Sequence, residues 1–311
     1  KLKISTKTQE LNKRIKMLTT IHFIINPISG NGKNKLTQEG VVGFFSPEKF
    51  EVKIKKTLKP NHASSLTHES IKEGADVIVA CGGDGTINEI ASCLVGSRVK
   101  LGIVPMGSGN GLASTLKIPK QVKDALKAIN KLKSTKIDVG FLNNHYFFSN
   151  TGIGFDANVI NYYAQTRKRR LTSYLRAAAL AFIHNNPSAL VKINTPTVSF
   201  SLRPFMVFAS NTNEMGYGTS LTPKASTKDG MLDVVVVEPL NRLEIIYFSL
   251  LLLIKKPQSL KKAHYFLTEN IEIRSLDKEG FLIQIDGESK QIETNLINIG
   301  AQRSALSVLV P

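Results

Sequence analysis

Three glycine-rich turns constrain this chain more than any other feature, because each follows a predicted strand and opens a predicted helix. They read NPISGNGK (26–33), GGDGT (82–86) and MGSGNG (106–111). Before the second turn, Asp76 to Cys81 form a short β-branched run of the buried-strand kind. After it, apolar side chains recur at helical spacing. A strand that ends in glycines and opens a helix aims free backbone N–H groups and the positive end of a helix dipole at one spot, which makes an anion site. In an α/β sheet the carboxyl ends of the strands share one edge, so three such loops together suit a polyphosphate. Taken singly, each loop also reads as a simple chain reversal. Neither standard fingerprint fits: Asn34 stands where a P-loop needs Ser or Thr, and no GxGxxG with a matched acid is present.

The chain has 311 residues, enough for two domains of ordinary size. From 19 to 141, apolar strands alternate with helical stretches (IHFIINP, FEVKIKK, ADVIVAC, KLGIVPM, KIDVG). That alternation predicts a doubly wound, Rossmann-like α/β domain. From 142 to 311 the pattern changes to strands separated by turn signals, among them HYFFSN, LVKIN, FMVFAS, LDVVVV and FLIQIDG. A second, β-rich domain is expected there, with the last residues able to return to the first. The cleft between the domains is the natural place for a site.

Forty-one Lys and Arg against twenty-four Asp and Glu leave a formal charge of +17, which favours anionic partners. Residues 1–18 are a basic segment expected to be flexible, without the apolar core of a signal peptide. Basic RKRR (Arg167, Lys168, Arg169, Arg170), with Arg176, reads either as a head-group contact or as a solvated charge run. Nucleic acid is not the expected partner, since no interleaved aromatics and no recognition motif accompany the basic run. Cys81 and Cys93, the two cysteines, make neither a disulfide framework nor a zinc site, and a cytoplasmic protein is the expectation. IIYFSLLLLI (245–254) is about half the length of a membrane span and reads as a packed helix.

The three turns, in that order, are followed by IDVG, NTGIGFDANV, PKASTKDGMLDVVVV and FLIQIDGES. In this the chain resembles the diacylglycerol-kinase-type lipid kinases, the family of soluble bacterial diacylglycerol kinases, sphingosine kinases and ceramide kinases. The resemblance implies a kinase that uses ATP and Mg2+ to phosphorylate a lipid hydroxyl between an α/β nucleotide domain and a β-sandwich. It further implies an enzyme of lipid metabolism that visits the membrane surface peripherally, with a homodimer among the assemblies left open.

Carried over by resemblance, Asn26, Ser29 and Gly30 cradle phosphates, with Lys33 near the transferring group. Gly82, Gly83, Gly85 and Thr86 contact phosphates in the second loop, and Asn88 and Glu89 start the helix and hold that turn. Gly107, Ser108, Gly109 and Asn110 form the third loop. Asp84 is a carboxylate among anion-binding glycines, which argues for a shared Mg2+. Asp138 would join that magnesium network, and Asp229 in KDGMLD would hold a second, structural Mg2+ or simply flank a hairpin. Asp286 is the implied general base, supported by Glu288, with Asp84 the rival for the role; a lone Asp-Gly is otherwise a hairpin turn. Gly111 and Leu112 stand where many bacterial members carry Asp and Phe, a form closer to sphingosine and ceramide kinases, so the acceptor lipid is open. An NAD-kinase-like enzyme and a catalytically silent binding module are the other readings.

Overall fold

The computed structural model describes residues 18–32, 36–107, 109–166, 171–184, 188–215, 219–277 and 279–311. Strands β1 (Thr19–Ile25), β2 (Phe50–Lys56), β3 (Val77–Gly82) and β4 (Lys100–Pro105) pair in parallel in the order β2-β1-β3-β4. Helices α1 (Gln38–Val42), α2 (His62–Lys72), α3 (Asp84–Leu94), α4 (Gly111–Thr115) and α5 (Val122–Asn130) lie in the connections. Each of β1, β3 and β4 is almost wholly buried, which is why these strands are continuous apolar runs rather than alternating ones.

The sheet continues beyond this half. Strand β5 (Ser134–Leu142) pairs with β6 (His145–Phe147), and also with β16 (Leu296–Leu309), whose Val308 pairs in parallel with Leu101 of β4. Strands β8 (Val191–Asn194), β9 (Ser199–Leu202) and β13 (Asn270–Ser275) extend the same sheet to ten strands. A second, antiparallel sheet has the order β12-β11-β10-β7-β14-β15. Its strands are β7 (Asn150–Gly154), β10 (Met206–Ser210), β11 (Leu232–Val237), β12 (Ala263–Thr268), β14 (Phe281–Ile285) and β15 (Glu288–Ile292). The α/β half and the β-sandwich of the sequence expectation are both present, and the fourteen-residue β16 runs through both.

Between the sheets lies an apolar core that includes Phe147, Val207, Val234, Val236, Ile273, Ile283 and Ile299. Val235 and Val237 point the other way, onto a cluster with Phe208, Ile245, Phe248 and Leu251. The valine run of β11 is therefore buried on both faces, because helices cover the outer side of the second sheet. Those helices are α6 (Phe155–Ala164), α7 (Leu171–Ile183) and α8 (Arg242–Leu253). Phe155 of α6 stacks on Phe205 with ring centres 4.6 Å apart. Expected to be packed, α8 is packed on one side only: Ile245, Phe248 and Leu251 are buried, while Leu243, Leu250 and Leu253 face outward. Among the described residues no helix is long and apolar enough to cross a membrane. Both cysteines are free. The basic segment at the start of the chain lies outside the described residues up to residue 17.

Candidate active site

Parallel pairing of β1, β3 and β4 brings the three glycine turns to one sheet edge. They touch one another directly. Asn26 N–H donates to Cys81 O (2.9 Å) and Met106 N–H to Gly82 O (2.8 Å). Asn26 Nδ2 donates to Thr86 Oγ1 at 3.0 Å, linking the first loop to the second. Gly30, at φ +69°, lies so close to the third loop that a Cβ would come within 2.7 Å of Met106 O. A Cβ on Gly107 would stand 2.6 Å from Gly83 Cα, so these two loops stack backbone on backbone. Ser29 opens a short 3-10 turn, Ser29–Gly32, in the first loop. Lys33 and Ser108 lie outside the described residues.

Helix α3 begins on the second loop, with Gly83 as its N-cap and no side-chain cap. Its first N–H groups have no partner within the helix, and the dipole makes that end electropositive. Asp84 is the first helical residue. Its Oδ2 accepts from Asn110 N–H (2.7 Å) and its Oδ1 from Gly111 N–H (3.0 Å). Gly109 packs against the same carboxylate, where a Cβ would meet Oδ2 at 2.7 Å. Asn110, at φ +57°, closes its own loop: Oδ1 accepts from Gly107 N–H and Nδ2 donates to Gly107 O. The sequence argument for a metal at Asp84 rested on a carboxylate among anion-binding glycines. Two backbone donors from the third loop supply a structural reason for it as well.

Facing α3 from the second sheet is the β14–β15 turn. Asp286 and Gly287 form it with φ +46° and +82°, so the Asp-Gly pair is a hairpin turn. Its carboxylate nevertheless reaches across to the α/β half: Asn88 Nδ2, in the second turn of α3, donates to Asp286 Oδ2 at 2.8 Å. Phe148 N–H donates to the same oxygen (2.9 Å), and Ser149 N–H (2.7 Å) and Asn150 N–H (3.1 Å) donate to Oδ1. Burial pushes the Asp286 carboxyl up to about 6, against the pull of these four donors, which favour the ionised form. Glu288, exposed at the start of β15, rests its carboxylate on Gly85 in the first turn of α3, where the helix dipole favours a negative charge. One helix thus carries the phosphate-type loop at its start and meets both predicted acids of the second half.

Three predicted residues are not brought to this place. Glu89 does not start the helix: it lies in the second turn of α3, and its Oε2 accepts from Ala63 N–H at the start of α2. Asp138, expected in the magnesium network, is in the middle of β5 and only 2% exposed. Its Oδ2 accepts from Gly230 N–H and its Oδ1 from Ser304 N–H, both at 2.7 Å. Ser304 sits in the register shift of β16 between Gln302 and Leu306, so Asp138 pins an irregular strand to a turn. Asp229 is exposed and accepts from Met231 N–H in its own turn. The run Arg167 to Arg170 lies outside the described residues.

Mg2+ takes one or two carboxylates together with phosphate oxygens and water. Asp84, partly exposed at the loop edge, fits that donor set, whereas Asp138 is closed off from phosphate and water by burial. At the other predicted site, burial and the nearby Asp229 charge push the Asp233 carboxyl up to about 6. Among the described residues no group of three or more His, Cys, Asp or Glu is gathered.

The sequence reading did not anticipate that Asn88 reaches Asp286, or that Phe148, Ser149 and Asn150 offer it their backbones. It also passed over Asp156. This residue is buried at the start of α6 beside Gly152, its carboxyl near the Ala157 backbone and the Gln284 side chain. Burial pushes it up to about 7.

This architecture, glycine loops on an α/β edge facing an acid on a β-sandwich, is that of a phosphotransferase. A family model for the diacylglycerol kinase catalytic domain matches residues 20–142, and one for the YegS C-terminal NAD kinase beta sandwich-like domain matches 149–257. A diacylglycerol kinase of Staphylococcus aureus is 26% identical over 284 residues, 89% of each chain. One from Staphylococcus saprophyticus is 25% identical, covering 89% of this chain and 92% of the relative. A solved structure of a diacylglycerol kinase from Bacillus anthracis has the same fold, with a TM-score of 0.67 at 20% identity, over 95% of this chain and 98% of that one. The chain belongs to the diacylglycerol-kinase-type family of lipid kinases.

Proposed function

We propose that the protein transfers the terminal phosphoryl group of ATP, with Mg2+, to the hydroxyl of an acyl lipid held between its two halves. The observation that carries this reading is the Asn88–Asp286 hydrogen bond, which ties the helix behind the glycine loops to the predicted base. Loop backbone N–H groups and the start of α3 would hold the phosphates, with Asn26 and Thr86 fixing the first two loops to each other. Bound Mg2+ would offset phosphate charge, with Asp84 as its carboxylate. Asp286, mostly ionised at neutral pH, would accept the acceptor hydroxyl's proton as the new O–P bond forms. A loose phosphoryl transition state asks little of a base, so the fixed direction of that carboxylate matters more than its basicity. Glu288, at the start of β15 with its carboxylate against the first turn of α3, would position the acceptor or the metal's water.

The test is transfer from labelled ATP to diacylglycerol, sphingosine, ceramide and a lipid extract in detergent micelles, with NAD as a polar control. Magnesium-dependent label on one lipid is the expected result. NAD is included because the family model over 149–257 is described as NAD kinase beta sandwich-like. Label on NAD alone would replace the lipid reading, and ATP binding without transfer would favour a silent module.

A further inference from the structure

Helix α8 is apolar on every side, yet only one side is covered. Ile245, Phe248 and Leu251 seat it on the second sheet. On the opposite side Leu243, Ile246, Tyr247, Leu250 and Leu253, with Ile254 just past the end, follow one another at three- and four-residue steps. Such steps keep side chains on one stripe. Leu243 is 78% exposed, Leu253 72% and Ile254 61%. Tyr265, opposite Val235 in the register, extends the apolar surface on the same sheet face. A continuous apolar strip of this kind on a soluble face marks a surface that is covered in use.

Charge says what covers it. Arg242 stands at the start of the helix, Lys255 and Lys256 just beyond its end, and Lys261 and Lys262 on the following turn. The acids of this stretch, Glu238 and Glu244, are paired with His264 and Lys262 at 2.7 Å. A second copy docked on the strip about a twofold axis would set cations against cations at both ends of the helix. The basic segment that begins this chain would meet the same repulsion.

We propose that the outward stripe of α8 docks on an anionic lipid bilayer, the helix lying in the interface plane with its leucines inserted and its flanking lysines among the head groups. An interfacial helix binds through buried apolar area together with attraction to anionic lipid, and α8 supplies both. The docking rests on the lipid-kinase reading for its purpose, since it would bring the cleft to a membrane-held acceptor.

The test is flotation of the full chain with phosphatidylcholine vesicles, with and without phosphatidylglycerol. Two variants are compared, Leu243→Glu/Leu250→Glu and Lys255→Glu/Lys256→Glu; all four positions are exposed, and thermal melts check that the fold is kept. The wild type should float with anionic vesicles, and each variant at least ~10-fold less. Transfer from labelled ATP to a lipid extract dispersed in detergent should be unchanged in both, which separates failure of docking from failure of the kinase reading. Wild-type flotation by the leucine variant would overturn the proposal. So would equal binding to neutral vesicles, or a wild-type dimer in sedimentation that the leucine variant dissociates.

Discussion

Asn88 Nδ2 lies 2.8 Å from Asp286 Oδ2, a contact between residues 198 positions apart that fastens the glycine-loop helix to the hairpin of the second sheet. The same amide also donates to Tyr146 O at 3.1 Å, so Asn88 is held from two sides. A hydrogen bond to a charged group contributes roughly 1.5–3 kcal/mol, about ten- to hundredfold in a rate where the interaction matters to the transition state. Asn88→Ala should therefore lower kcat by about that factor while changing ATP affinity by less than ~3-fold. Asp286→Asn should lower kcat further still. Steady-state kinetics with direct nucleotide-binding measurements check both, and an Asn88→Ala variant that loses ATP binding in proportion would place Asn88 in the nucleotide site instead.

The pH profile follows from the same carboxylate. Burial raises Asp286 to about 6 and its four donors work the other way. A base must be ionised, so kcat should fall as pH drops through about 6 and level off above it. Removing the Asn88 donor weakens the ionised form, and Asn88→Ala should move that acid limb to higher pH. Turnover that stays flat between pH 5 and 7 would, on the ~6 midpoint, remove Asp286 from the proton transfer.

What the sequence revealed was local, and what it hid was long-range. The three loops were legible because strand, glycine turn and helix adjoin in the chain. Asp286 was legible only as a turn with an implied role: its partners Phe148, Ser149 and Asn150 lie 136 to 138 residues away. Asp138 was misplaced for a related reason, since the bulge of β16 that it pins leaves no mark near it. Strand β15, ESKQI, is polar and at the sheet edge, so it carries no apolar period to detect. Helix α8 defeated the pattern differently: with apolar residues on all sides, periodicity cannot say which side packs.

Gly107 offers a test of the loop stack. A Cβ there would meet Gly83 Cα at 2.6 Å and Asn110 Oδ1 at 2.9 Å, and the first of these is backbone that cannot swing away. Gly107→Ala should push the third loop off the second, loosening the Asp84 clasp to Asn110 and Gly111. Overpacking of this kind costs about 1–3 kcal/mol. A lowered melting temperature together with ATP affinity reduced by at least ~10-fold is the expected outcome, on that same scale. Normal melting and normal binding would show that the two loops are free to separate.

Asp156 gives the clearest prediction for stability. It is buried under the first turn of α6, and burial carries its carboxyl up to about 7 from an ordinary value of 3.8, against the pull of the Ala157 backbone and the Gln284 side chain. The folded state therefore holds this proton over a range where the unfolded chain has released it. The contribution of Asp156 to stability must then fall as pH rises from about 4 to about 7, at roughly 1.4 kcal/mol for each unit between the two values. Asp156→Asn removes the charge and keeps the shape. In urea unfolding the variant should gain on the wild type steadily as pH rises from 4 to 7, and hold a constant lead above that. A difference that does not vary with pH would mean that Asp156 is already ionised in the fold, held by a partner that burial conceals.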